Sequence, residues 1–216
     1  LFPYTTLFRS GARLRYRKAG SMTPRKIDAS MIIPLAEYVG QRAERRKRIA
    51  EIKKNRRLEV GPFATFYFES YDTMLHQVHE MLFIEKGGAE QLVDELAAYN
   101  PLIPQGSELV ATVMFEIDDP LRRARVLATL GGVEQRAFIR INGTTVRGVA
   151  EDDQERSRED GKASAVQFIR FPFTAAEIAA FRCGEGDVVV GFDHPSYGHM
   201  AVMPTAVRQT LSADFA

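Results

Sequence analysis

The sequence predicts an α+β fold: a single domain, with an antiparallel-rich mixed sheet of about six strands covered by helices. Three features predict it. Runs with strand period and runs with helix period follow one another without regular alternation, which argues against a doubly wound sheet. Asn142-Gly143 sits between two strand-like runs and suits the tight turn of an antiparallel hairpin. Hydrophobic residues make up 45% and charged residues 26% of the chain, an ordinary globular composition with enough length for one core.

The elements follow in order. Residues 35–54 carry a broken apolar stripe (Leu35, Tyr38, Val39, Ile49, Ile52) and predict a helix that ends near Asn55. Gly61-Pro62 punctuates the chain before the aromatic-rich run 63–69, a strand. Residues 71–86 give the clearest helix, with Met74, Leu75, Val78, Met81 and Leu82 on one face. Gly87-Gly88 breaks it, and 89–98 forms a second helix. Residues 99–107 form a proline-stiffened loop and 108–117 a strand. Asp119 and Pro120 open a short helix as cap and first residue. The Asn-Gly hairpin follows, then the charged stretch 151–162, expected as a solvated loop. Residues 164–173 and 187–193 are strands, Thr174 to Glu177 is a capping box opening a helix, and a last helix follows Pro204.

The opening "LFPYTTLFRS" belongs to none of these elements. It is no secretory signal, because its apolar part precedes the basic residues and is broken by Pro3, Thr5 and Thr6. Back-translated, it resembles a short-read sequencing adapter. Residues 1–21 are therefore expected to be a non-native, disordered segment, with Met22 as the true start and 22–216 as the domain. The whole chain has formal charge +1, yet residues 1–21 hold five basic residues and no acidic one. Residues 22–216 then carry 24 basic against 28 acidic residues, so global charge makes nucleic acid an unlikely partner. Cys183 is the only cysteine, which excludes a disulfide framework and makes a reducing cytoplasm the expected location. No apolar run approaches the roughly 18–20 residues of a membrane helix, and no membrane association is expected. G-x-G-x-x-G, P-loop and G-x-S-x-G motifs are absent.

Several stretches in order resemble one family. They are "KKNRR" (53–57) with the following Gly-Pro, the helix pattern Thr73, Met74, Gln77, Glu80, Met81, Leu82 and Glu85, "YNPLIP" (99–104), "KASAVQFIRF" (162–171) and "DHPSY" (193–197). Together they resemble an uncharacterised bacterial family catalogued as domain of unknown function thirty-five-oh-one. The resemblance implies no established activity. Genes of the family are often reported beside rubrerythrin and iron–sulfur or flavin oxidoreductase genes, which implies by association a link to peroxide defence or redox metabolism and a rubrerythrin-type redox partner.

Four constellations could carry chemistry. Gln77, Met81 and Glu85 share one helix face with the apolar stripe, so Glu85 is expected as a buried acid, base or metal ligand. The alternative is an ion pair with Arg56 or Arg57, or a helix-end carboxylate reaching solvent. His76 and His79, three residues apart, could chelate an ion but are expected to project into solvent. "DHPSYGHM" crowds Asp193, His194, Tyr197 and His199 into a loop at a strand end. Asp193, His194 and His199 are candidate ligands for iron, zinc or manganese, and His194 and Tyr197 candidate catalytic groups with Glu85. The alternative is a structural turn with Tyr197 packed on the core. The fourth is basic: nine Lys or Arg lie between residues 42 and 57, with Arg45, Arg46, Lys47, Arg56 and Arg57 as partner-binding candidates. Two functions follow as expectations. One is a cytosolic redox or peroxide-stress accessory protein or metal-binding enzyme, with its site near Glu85 and the DHPSY loop. The other is a non-catalytic protein that docks through residues 42–57 to an acidic partner or, less readily, RNA.

Overall fold

The computed structural model describes residues 25–151 and 163–216. Residues 1–21, and all but the first residue of the charged stretch 151–162, lie outside the described residues. The fold is α+β. Its helices are α1 (Leu35–Lys54), α2 (Tyr71–Glu85), α3 (Gly88–Tyr99), α4 (Pro120–Leu127), α5 (Ala175–Cys183) and α6 (Thr205–Ser212). Its strands are β1 (Arg57–Val60), β2 (Ala64–Phe68), β3 (Glu108–Phe115), β4 (Ala137–Ile141), β5 (Thr144–Arg147), β6 (Val149–Ala150), β7 (Val166–Pro172), β8 (Val188–Phe192) and β9 (Met200–Val202).

The strands form two sheets where one was expected. The first has the order β1-β2-β3-β7-β6 and the second β5-β4-β8-β9, and every pairing is antiparallel. The additional strands β1, β6 and β9 have two to four residues each, too few to show a period in the sequence. One face of the first sheet (Phe66, Phe68, Ala111, Val113, Ile169, Phe171) shares a core with Ile139, Ile141, Val188, Val190 and Phe192 of the second. Its other face carries Val110 and Phe168, which pack with Met74 and Val78 of α2 and with Leu102 and Ile103. The chain passes from the second sheet to the first at Gly148, between β5 and β6. A Cβ there would lie 2.5 Å from Ile169 and 3.0 Å from Phe171, so the crossing needs glycine.

Local chemistry sets the element ends. Ser70 and Thr73 form a capping box at the start of α2, and Thr174 and Glu177 form one at α5. Asp119 caps α4 ahead of Pro120. Asn142 and Gly143 both have positive φ, as a tight I′ turn requires. Helices α5 and α6 terminate each other. Arg208 of α6 donates to the carbonyls of Ala180, Phe181, Glu185 and Gly186 at the end of α5. Arg182 of α5 donates to those of Ser212, Phe215 and Ala216 beyond α6. The YNPLIP loop is a tether. The Asn100 side chain bonds both the N–H and the carbonyl of Ile27, and Arg170 holds the carbonyl of Pro101.

Arg56 was expected on a docking surface, but it is buried. It makes two hydrogen bonds to Asp214, at 2.8 and 2.7 Å, and one to the carbonyl of Glu69. Burial pushes the Asp214 carboxyl up, against the pull of Arg56. Arg56→Met strands a buried carboxylate and is expected to destabilise the protein by about 3–5 kcal/mol in urea unfolding. Arg56→Met combined with Asp214→Leu is expected to recover most of that loss, because the unpaired charge is gone.

Candidate functional site

The DHPSY loop is held by its own polar groups. The Tyr197 hydroxyl donates to the carbonyl of Val60 at 2.8 Å and accepts from the N–H groups of Phe63 and Ala64 at 2.9 Å. Its ring is buried against Phe115 and Phe192. Burial raises the Tyr197 hydroxyl above its ordinary range, so it remains the protonated form that clamps the β1–β2 turn. His194 Nδ1 accepts from the Ser196 N–H, and its Nε2 faces the carbonyl of Gly131 at 3.2 Å. The proton therefore sits on Nε2, and backbone groups occupy both nitrogens. Asp193 pairs with Arg147. The His199 ring lies 4.6 Å from that of Tyr197, over Gly61, where a Cβ would meet it at 2.5 Å.

Glu85 is not with them. It is exposed at the last turn of α2, where it accepts a hydrogen bond from Gln91. α2 covers one face of the first sheet and Tyr197 packs in the core on its other face, so the sheet stands between them. The convergence of Glu85, His194 and Tyr197 on one cavity is not found. Among the described residues, no three His, Cys, Asp or Glu side chains group to hold a metal. Asp193 pairs with Arg147 and both His194 nitrogens meet backbone groups, while the exposed His199 ring packs edge-on against Tyr197.

The polar site that the structure builds joins α1 to α2. Tyr38 of α1 donates to Glu80 at 2.6 Å, and Arg42 bonds both oxygens of Glu80 at 2.8 Å. Arg42 also lies over the Phe83 ring, 4.2 Å from its centre. The Arg42 and Tyr38 hydrogen bonds hold the Glu80 carboxyl down at about 2. His79, expected in solvent, is 2% exposed. Its Nδ1–H donates to the carbonyl of Leu75 at 2.7 Å, and its Nε2 accepts from the Ile33 N–H at 3.2 Å. The ring stacks on Tyr38 at 4.9 Å, and burial lowers its basicity. Helical spacing hid this pairing, because the partner of His79 lies about forty residues away on another helix. The one sequence signal was Tyr38 and Arg42, four residues apart on α1 and so able to reach one carboxylate together.

The basic helix is largely open. Tyr38 and Ile49 are the only fully buried residues of α1, while Arg46, Lys47 and Arg48 are exposed and Arg45 half-buried. Arg57 is exposed and pairs with Glu59 on β1. No helix among the described residues is long and apolar enough to cross a membrane.

Two outcomes follow. Tyr197→Phe leaves two buried N–H groups without their acceptor and is expected to cost about 1–3 kcal/mol in urea unfolding, as a structural role requires. For His79, the folded basicity lies below the unfolded one, so protons bind the unfolded chain preferentially. Its contribution is present above about pH 6.5 and is lost as pH falls. Thermal unfolding temperature is therefore expected to drop between pH 7.5 and 5.5. His79→Phe should reduce that slope, leaving the part due to half-buried His76, which burial lowers in the same direction. The contribution of Glu80 persists until pH falls below about 4.5.

Comparison with known proteins supports the α+β fold. No curated protein matches the chain. A crystal structure of a novel protein of unknown function from Burkholderia pseudomallei is similar, with TM-score 0.82 and 34% identity, over 88% of this chain and 100% of that one. Residues 26–215 match the family described as "Protein of unknown function (DUF3501)". The match takes in both sheets, all six helices and the tethering loop, and the chain belongs to the DUF3501 family.

Proposed function

We propose that this protein is a non-catalytic docking protein that engages an acidic protein partner through α1. The observation that supports it is the distribution of charge around that helix. Glu37, Glu44 and Glu51 recur every seven residues and so fall on one flank. At about 100° per residue, Val39, Arg46 and Lys53 fall on another flank, which no glutamate shares. Arg46, Lys47 and Arg48 make no ion pair among the described residues. The inner side of α1 is fixed by the Tyr38–Arg42–Glu80 contacts, so the cations stand on a rigid element.

A complementary acidic surface would gain mainly in association rate and in specificity. RNA is the weaker occupant, since the acidic excess over residues 22–216 opposes non-specific phosphate binding. The gene neighbourhood reported for the family makes a rubrerythrin-type redox protein the first partner to test, and a single cysteine is in keeping with a reducing cytoplasm. In biolayer interferometry at 50 mM salt, the triple substitution Arg45→Glu, Arg46→Glu, Lys47→Glu is expected to weaken capture of that partner more than about tenfold. Raising salt to 300 mM should weaken the parent complex similarly. Unchanged capture rejects the surface, and tighter binding of a single-stranded RNA probe than of the protein would favour RNA.

A further inference from the structure

A cleft of about 350 Å³ opens between the segment ahead of α1, the last turns of α2 and the first turn of α3. Its walls are aliphatic: Ile32, Ile33, Leu35, Leu82 and Leu92. The stacked rings of Tyr38 and His79 also line it. Both nitrogens of that histidine are already bonded to the backbone and the Tyr38 hydroxyl to Glu80, so the interior offers little to a polar ligand. Burial lowers the basicity of His79, and Lys86 is the one Lys or Arg among the lining residues.

Lys86 makes no ion pair among the described residues. It ends α2 in the left-handed conformation, with φ of 56°, and α3 starts two residues later. Gly88 and Ala89, at the positive end of α3, line the same cleft as Lys86. An aliphatic wall with one cation is complementary to an amphiphile bearing one negative charge. A phosphate dianion would leave charge uncompensated, and an amine would be repelled.

We propose that this cleft binds an aliphatic monocarboxylate, its chain against Ile32, Ile33, Leu82 and Leu92 and its carboxylate on Lys86. The volume is at the small end of the roughly 300–1,000 Å³ of ligand pockets, so a short aliphatic chain such as that of octanoate is the first to test. The site is separate from the outward cations of α1.

Octanoate, octan-1-ol and octylammonium test it by isothermal titration calorimetry on the full chain. Octanoate is expected to bind about tenfold more tightly than octan-1-ol, as one charge-assisted hydrogen bond provides. Octylammonium should bind less tightly than either. Lys86→Met should bring octanoate to the level of octan-1-ol and leave the alcohol unchanged. Because the chain has no tryptophan, Leu35→Trp places a sole tryptophan at the cleft, and its selectively excited fluorescence gives a second readout. Equal affinity for acid and alcohol, no saturable binding of octanoate up to millimolar concentration, or unaltered octanoate binding by Lys86→Met would each overturn the proposal. The triple charge reversal on α1 should leave octanoate binding intact, which separates this site from the docking surface.

Discussion

Strand β3 buries side chains on both of its faces, so its sheet requires cover on each side. Leu109, Ala111, Val113 and Phe115 point into the core shared with the second sheet. Val110 joins the core beneath α2, and Thr112 on the same face donates to Glu69. The second sheet and the α2–α3 pair are placed by these two demands. Glu69 shows how closely the helical side is fitted. Its carboxylate is buried with no ion pair among the described residues, and the hydroxyls of Thr73 and Thr112 each satisfy one oxygen. The helix cap, the buried carboxylate and the central strand are thus one connected hydrogen-bonded unit.

The same two-sided cover separates the residues that sequence reasoning had joined. Glu85 lies with the helical layer and Tyr197 with the inter-sheet core. A loop rich in His, Asp and Tyr reads as a site when only its sequence is visible. In the fold, its hydroxyl and imidazole complete backbone groups that β-turns leave unpaired, which buried structure demands as strongly as chemistry does.

Much of the local structure was legible. The period of residues 71–86, the Thr174 capping box, Asp119 with Pro120 and the Asn142-Gly143 turn all report interactions within a few residues. What escaped depends on distant partners. Strand β9 has three residues and exists because β8 pairs with it. Arg56 reads as one cation in a basic run until Asp214, at the far end of the chain, closes on it. Glu85 follows the apolar phase of α2, but that phase runs on past the area the helix covers, so its last turn meets solvent.

The mutual capping of α5 and α6 has a consequence for how this part of the molecule changes, in solution and over time. Each arginine is carried by one helix and satisfies the other, so neither helix end keeps its carbonyls paired once its neighbour leaves. With Phe173, Phe181 and Phe215 in edge-to-face contact between them, the two helices are expected to open together and not one at a time. Arg182 and Arg208 are thus a reciprocal pair across the α5–α6 contact, and a replacement at either one removes the donors of carbonyls at the end of the opposite helix.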